Sequence, residues 1–180
     1  MKKVLAVLAT LMLTLTMTLP ASAATSAFID VPYTNWAYPY VQRAAGEDWV
    51  NGVGGGRYAP NDNVTGAEFV TMITRAFYLP ECQAAAPGQP WYQGYVNTAN
   101  THGLLTHGIN SSTALNTSLN RYNMAVVLYN LADEENLLRE TENGFLSQDG
   151  AKEWTYRSAQ KSIADWNSVP SQYREPVLAC

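Results

Sequence analysis

The chain has 180 residues, of which 47% are apolar and 14% charged, with a formal net charge of −4 at pH 7. These values indicate a globular protein with an apolar core and one domain. The acidic balance and the lack of a basic run argue against a nucleic-acid partner.

The amino terminus has the pattern of a secretory signal peptide. Two lysines precede an apolar run from position 4 to about 19, and the small residues Ala21, Ser22 and Ala23 follow. We therefore predict that residues 1–23 are removed on export. A retained membrane anchor is the alternative, because the run is close to spanning length. No second run of that length follows, so we expect a secreted protein without membrane contact after cleavage.

An internal repeat organises the rest of the chain. A shift of 55 residues places Trp36 on Trp91 and brings two apolar patterns into the same register. Both patterns have the i, i+3, i+4, i+7, i+8 spacing of an amphipathic helix. They consist of Phe69, Met72, Ile73, Ala76 and Phe77 in the first unit, and of Met124, Val127, Leu128, Leu131 and Ala132 in the second. Each unit is predicted to be a helix, a glycine-rich or polar loop and a second helix.

Capping residues mark where the second helix of each unit begins. Thr65 and Glu68 have the spacing of a capping box, in which each side chain satisfies a free backbone N–H of the first turn. Asn120 can cap the matching helix, but Asn123 replaces the glutamate. We therefore expect a weaker cap in the second unit.

The repeat predicts an all-α fold in which helix-loop-helix units pack as one bundle, because two short helices cannot close a core alone. We divide the mature chain into a first unit at 24–80, a linker at 81–90, a second unit at 91–132, a partly helical linker at 133–162 and the start of a truncated third unit at 163–180.

Three motifs of the first unit together resemble the S-layer homology domain. They are F-I-D-V-P-Y-T-N-W-A at 28–37, V-G-G-G-R-Y-A-P at 53–60 and V-T-G-A-E-F at 64–69. The resemblance extends from about residue 28 to the end, as one strong repeat, one diverged repeat and a truncated third. It implies a three-repeat helical spindle, here incomplete. It also implies binding of secondary cell-wall polymers linked to peptidoglycan, often with pyruvylated sugars, in pockets between neighbouring repeats.

Matched to the family's motifs position by position, the resemblance implies a set of glycan-binding residues. They are Asp30, Trp36, Gly52, Gly54, Trp91 and Arg121. Gly66 stands where the first repeat should carry its motif arginine, and Gln172 stands at the third repeat's tryptophan position. At most one pocket is therefore expected to be intact. An arginine fork suits a carboxylate or phosphate on a sugar, and an indole face suits the ring.

Each of these residues also has a structural interpretation. Trp36 and Trp91 could anchor the core, Asp30 could cap a turn or a helix, and Arg121 could be an exposed surface residue. The glycines could simply form turns. These alternatives stay open at the level of sequence.

The sequence offers little for catalysis, metals or cofactors, and we predict none of the three. His102 and His107 are five apart, off the spacing that puts two ligands on one helical face. Cys82 and Cys180 could pair in an exported protein, but two unrelated thiols are favoured. A glycan hydrolase would need two carboxylates flanking a cleft. The acidic candidates Glu47, Asp48, Glu134 and Glu135 lie at helix ends or in an acidic run.

The leading functional prediction is a non-catalytic anchor of the bacterial cell surface that binds a peptidoglycan-linked secondary cell-wall polymer. One alternative is a structural, self-associating protein of the S-layer type, since an unfinished third unit leaves apolar surface uncovered. Another is the anchor fragment of a larger secreted enzyme.

Overall fold

The computed structural model describes residues 26–141, 144–147 and 153–179. The predicted signal peptide and Cys180 lie outside these residues. The described chain is rich in helix and contains one small antiparallel sheet. Its helices are α1 (Tyr38–Gly46), α2 (Gly66–Tyr78), α3 (Gln93–Thr101), α4 (Ser112–Asn116), α5 (Arg121–Glu134), α6 (Tyr156–Ser162) and α7 (Ser171–Ala179). Short 3-10 turns lie at Leu79–Glu81 and Trp166–Ser168.

The two predicted caps are confirmed. In the first unit, Glu68 N–H donates to the Thr65 hydroxyl over 3.2 Å, and Thr65 N–H donates to the Glu68 carboxylate over 2.8 Å. In the second unit, Asn123 N–H donates to the Asn120 side-chain oxygen over 2.8 Å, without the reciprocal bond of a capping box. One cap therefore satisfies two N–H groups where the other satisfies one.

The main core lies between α2, α3, α4 and α5. The residues that α2 buries in it are not those of the predicted apolar stripe. The most buried positions are Ala67, Val70, Thr74 and Tyr78, whereas Phe77 is exposed. Phe69 and Ile73 pack at the margin of this core, and Met72 packs on a separate amino-terminal cluster. The helix is thus covered on two sides.

The sheet occupies the segment predicted as a partly helical linker. Its strands are β1 (Leu138–Thr141), β2 (Gly144–Ser147) and β3 (Glu153–Thr155), in the order β1-β2-β3. Both pairs are antiparallel, with Leu138 opposite Ser147 and Gly144 opposite Thr155. Helix α6 follows β3 directly, and the strands were not predicted.

The carboxy-terminal helix α7 packs against α5 and the sheet. Behind it lies a cluster made of Ala159, Trp166, Val169 and Leu178. Tyr173 belongs to the margin of this cluster and of the main core, and its ring stacks on Tyr122 with centroids 5.1 Å apart. Helix α7 therefore packs on the second unit through one of its faces.

The two units meet where their second helices begin. Leu119 N–H donates to the Val64 carbonyl over 2.9 Å, and Gly66 N–H donates to the Thr117 carbonyl over 3.1 Å. This short antiparallel bridge brings the backbone of α4 against the start of α2. A Cβ at Gly66 would lie 3.0 Å from the Leu115 Cα and closer still to the Ala114 carbonyl oxygen. Only glycine fits at that contact.

Candidate functional site

An open groove of about 710 Å³ runs between the first unit and the start of the second. Residues 49–53, 58–60 and 62–65 and one face of α2 form one wall. Trp91 and Tyr95, which flank the start of α3, form the other wall. The groove is therefore built from both units and exists only because they pack together.

Asp30 holds the glycine-rich loop that shapes the first wall. Its carboxylate accepts backbone N–H bonds from Tyr58 and Ala59, each of 2.8 Å, and lies 3.7 Å from the Arg57 Nε. The N–H of Tyr58 is the main reason that the pKa of Asp30 is lowered, with further contributions from the N–H of Ala59 and from Arg57. Asp30 thus points into its own loop and does not line the groove, which matches the turn-capping interpretation.

The two predicted glycines differ in what requires them. Gly52 lines the groove with φ of 70°, and a Cβ there would collide with the Phe28 ring and the Arg57 carbonyl. Gly54 has φ of 99° but open space around it. Close packing and backbone conformation both require glycine at 52, whereas only the conformation favours it at 54.

Both predicted tryptophans lie at the surface, so the interpretation of either as a core anchor is wrong. Trp91 is 59% exposed and meets the buried Tyr92 edge-on, with ring centroids 5.5 Å apart. Trp36 is 83% exposed beside Tyr40 and does not line the groove. Of the two indoles, Trp91 is the one that the groove can offer to a ligand.

Four polar residues on the first wall, Asn51, Glu68, Thr71 and Arg75, were not predicted as site residues. The Arg75 Nη2 donates to the Asn51 Oδ1 over 3.0 Å, while the Arg75 Nε and the Thr71 Oγ1 are buried without a hydrogen-bond partner. The spacing of Glu68, Thr71 and Arg75 puts all three on one helix face. This polar stripe beside the apolar one is the sequence pattern that could have revealed them.

The comparison with protein families matches residues 30–70, described as the S-layer homology domain. The match begins at Asp30, crosses α1 and the glycine-rich loop, and ends within α2. The chain contains an S-layer homology domain. The matched residues thus supply the loop and the start of the helix in the first wall, whereas Thr71, Met72 and Arg75 of the same wall lie beyond the match.

Two curated proteins are similar to the chain beyond this domain. An endoglucanase of Bacillus sp. (strain KSM-635) is 25% identical over 141 residues, which cover 75% of this chain and 15% of the relative. A cell surface protein of Thermoanaerobacter kivui is 31% identical over 108 residues, which cover 60% of this chain and 13% of the relative. The chain spans less than a sixth of either relative's length. No solved structure matches it.

Arg121, the last of the predicted ligand-binding residues, lies outside the groove. It is exposed at the first position of α5 and does not line the groove. In the first unit the motif arginine is replaced by Gly66, whose contact with Ala114 leaves no room for a side chain. The predicted set is therefore divided, with Gly52 and Trp91 in the groove and Asp30, Trp36, Gly54 and Arg121 outside it.

A second group of titratable side chains lies at another place in the fold, where α3 and α5 end. His102 contacts Glu134 through Nδ1 at 3.0 Å and Glu81 through Nε2 at 2.9 Å. Its ring stacks on Tyr78 with centroids 3.8 Å apart, and the Tyr78 hydroxyl donates to Glu135 over 2.6 Å. The hydrogen bonds to Glu134 and Glu81 raise the pKa of His102. Burial and the bond to Glu135 raise the pKa of Tyr78.

Cys82, which the sequence analysis considered for pairing with Cys180, makes a structural contact. Cys82 is a free thiol that donates to the Tyr78 carbonyl over 3.4 Å, and burial raises its pKa, which disfavours the reactive thiolate. Cys180, the other cysteine, lies outside the described residues. Within the ranges described, no group of three or more His, Cys, Asp or Glu side chains could hold a metal ion. No described helix is long and apolar enough to cross a membrane.

Proposed function

We propose that the chain is a non-catalytic anchor that attaches an exported protein to the bacterial cell wall. In this proposal the groove between the two units binds a secondary polymer linked to peptidoglycan. The observation that carries the proposal is the groove itself, because it joins the loop and helix of an S-layer homology domain to an exposed tryptophan of the next unit.

The chemistry of the two walls suits a sugar chain. The exposed face of Trp91 gives a flat apolar surface on which a sugar ring can stack. The opposite wall brings backbone groups of the glycine-rich loop to the surface at Gly52, where no side chain intrudes. Such a loop can offer N–H donors to sugar hydroxyls and to anionic substituents.

The packing of the helices supports three repeated units, the last of them partial. Helix α3 packs against α2 of the unit before it, and α7 packs against α5 in the same sequential relation. In the tail, Gln172 takes the tryptophan position, and Tyr173 packs against Tyr122 and His107 of the second unit. We therefore propose one ligand groove, at the boundary of the first and second units.

Two alternatives have support of their own. Exposed apolar side chains at Ile29, Tyr33, Trp36 and Tyr40 favour self-association, which the mass of the protein in solution would reveal. The similarity to part of an endoglucanase favours an anchor within a larger secreted enzyme. Neither alternative excludes wall binding by the groove.

The experiment that tests the proposal is co-sedimentation of the mature protein, residues 24–180, with purified peptidoglycan sacculi. One sample of sacculi keeps its attached polymer, and a second has the polymer chemically extracted. The proposal predicts that the protein sediments with the first sample and stays in solution with the second. Equal binding to both samples would move the target to peptidoglycan itself, and no binding to either would contradict the proposal.

A further inference from the structure

The segment of chain between α2 and Trp91 is weakly held by its own contacts. No residue from 79 to 90 is buried, and its backbone hydrogen bonds close local turns. Where the segment passes α3, the Gln83 carbonyl packs on the backbone at Gly94, where a Cβ would find no room. The segment ends at Trp91, the aromatic residue of the second wall of the groove. A contact that fixes the start of the segment therefore also bears on this wall.

Glu81 supplies the charged contact between this segment and the second unit. Its carboxylate lies 2.9 Å from the Nε2 of His102, whose Nδ1 lies 3.0 Å from Glu134 at the end of α5. The imidazole stacks on Tyr78, the last residue of α2, and the Tyr78 hydroxyl donates to Glu135. The titratable groups that face the imidazole are thus two carboxylates and one neutral phenol, with a third carboxylate behind the phenol.

The protonation state of His102 decides how many of these contacts can exist together. A protonated imidazole donates from both nitrogens, whereas a neutral one donates from a single nitrogen and presents a lone pair at the other. A lone pair and a carboxylate oxygen at 2.9 or 3.0 Å repel each other when no proton lies between them. The neutral ring can therefore keep one carboxylate and must lose the other.

Of the two carboxylates, that of Glu81 is the one free to leave. Glu134 ends α5, a helix held in the main core by buried residues such as Val127 and Leu131. Glu81 belongs to a three-residue 3-10 turn that buries no side chain, and it is itself 55% exposed. Loss of one contact therefore releases the turn after α2 and leaves α5 in place.

We propose that His102 is a pH-operated latch that, when protonated, fastens the segment leading to Trp91 and with it the second wall of the groove. As the pH rises, the ring becomes neutral, Glu81 is released and residues 79–90 are free to move. Trp91 is then held less firmly, and binding of the polymer weakens. The latch itself stands on the contacts of His102, whereas its effect on binding rests on the proposed function of the groove.

Cleavage by elastase at the three alanines 84–86 measures how often the segment opens, because a protease samples the open form. The wild type and His102→Gln are compared at each pH from 6 to 9, so that the pH dependence of the protease cancels. The wild type is expected to be cut about two- to fivefold more slowly than His102→Gln at pH 6, and at the same rate at pH 9. A ratio that stays constant with pH would overturn the latch.

Glu81→Gln separates a titrating latch from a purely structural contact. A glutamine amide can accept from the protonated ring and donate to the neutral one, so the contact no longer depends on the proton. Protection from elastase is therefore expected to persist to pH 9 in this variant. Glu47→Gln removes the same charge from an exposed position that ends α1, and it is expected to keep the wild-type loss of protection. The same loss in Glu81→Gln would contradict the proposal.

The effect on the groove is measured by titrating polymer released from sacculi into the mature wild type and His102→Gln at pH 6 and pH 9. Titration of the polymer itself affects both proteins alike and cancels in the ratio of their affinities. The wild type is expected to bind about two- to fivefold more tightly than His102→Gln at pH 6 and equally at pH 9. If protection from elastase changes with pH but this ratio does not, control of the groove by His102 is wrong. If the wild type binds no polymer at either pH, the proposed function fails, and the elastase series still decides the latch.

Discussion

Gly66 illustrates how a single residue can both depart from a motif and be required by the fold. Its N–H bonds to Thr117, and the space that a Cβ would fill is occupied by the backbone of Ala114 and Leu115. The arginine expected from the motif is thus excluded by the packing of the next unit. Sequence alone shows the departure, but the reason appears only when the two units are placed side by side.

The Gly66→Ala substitution is expected to destabilise the protein. The added methyl group would force the α4 backbone away from α2, and overpacking of this kind costs about 1–3 kcal/mol. Thermal unfolding followed by circular dichroism measures the effect as a Tm lower by several degrees.

Gly46→Ala is the matched control for that measurement. Gly46 ends α1 and has no atom within 4 Å of the added Cβ position. Alanine there is expected to leave stability unchanged or to raise it by up to about 1 kcal/mol, because glycine is a poor helix former. If Gly66→Ala unfolds at the wild-type temperature, the close contact between the units is not as described.

At the scale of elements, His102 connects the ends of three segments. The histidine follows α3, Glu81 closes the turn after α2, and Glu134 ends α5. A protonated imidazole can donate to both carboxylates at once, whereas a neutral one can donate to only one. The raised pKa of His102 is the expected result of these two contacts.

The contacts of His102 predict that stability falls as the pH rises above about 6.5. A group whose pKa is higher in the folded than in the unfolded state stabilises fully below its unfolded value of about 6.5, and this contribution is lost as the pH passes the folded value. The carboxylates are half exposed, so the loss is expected to be no more than about 1 kcal/mol. The measurement is the Tm between pH 6 and pH 9.

The two histidines provide the comparison for this pH series. His102→Gln is expected to lower the Tm at pH 6 and to flatten its dependence on pH. His107→Asn should leave the dependence intact, because His107 contacts the Thr106 hydroxyl and Tyr173 rather than a carboxylate. Asparagine also tolerates the positive φ of 53° at that position. An unchanged slope in His102→Gln would show that the ion pairs do not contribute.

Elements differ in how far their sequence determines them. The start of α2 is predictable because Thr65 and Glu68 are local partners, and the start of α5 follows in the same way from Asn120. The stripe predicted for α2 consists of its largest apolar side chains, but the most buried positions include Ala67 and Thr74. That choice depends on how closely α3 approaches, which no property of α2 alone specifies.

The strands of the sheet could not be predicted from their local sequence either. Its strands are three or four residues long, too short for a pattern of alternation to stand out from a polar linker. Their position is set by α7, which packs against β2 and β3 as well as α5. Contacts that are distant in sequence therefore decide the structure of this segment.

At the scale of the whole molecule, the internal repeat was the most informative feature of the sequence. It predicted a helix-rich protein, whereas a site at the boundary between units was implied by the resemblance to the S-layer homology domain; the groove lies at that boundary. It could not identify which motif residues face that boundary. Asp30 binds the backbone of its own loop, and Trp36 lies outside the groove. Arg75 and Thr71 line the groove, although neither belongs to one of the family motifs.

The central claim is that this groove holds a wall glycan against Trp91, and the most direct test is titration of released polymer into Trp91→Ala and Tyr33→Ala. Tyr33 is an aromatic residue that is 82% exposed and does not line the groove. Trp91→Ala is expected to bind the polymer at least about tenfold more weakly, a loss of roughly 1.4 kcal/mol, and Tyr33→Ala is expected to keep the wild-type affinity. Wild-type affinity in Trp91→Ala would show that the groove does not hold the glycan against this indole.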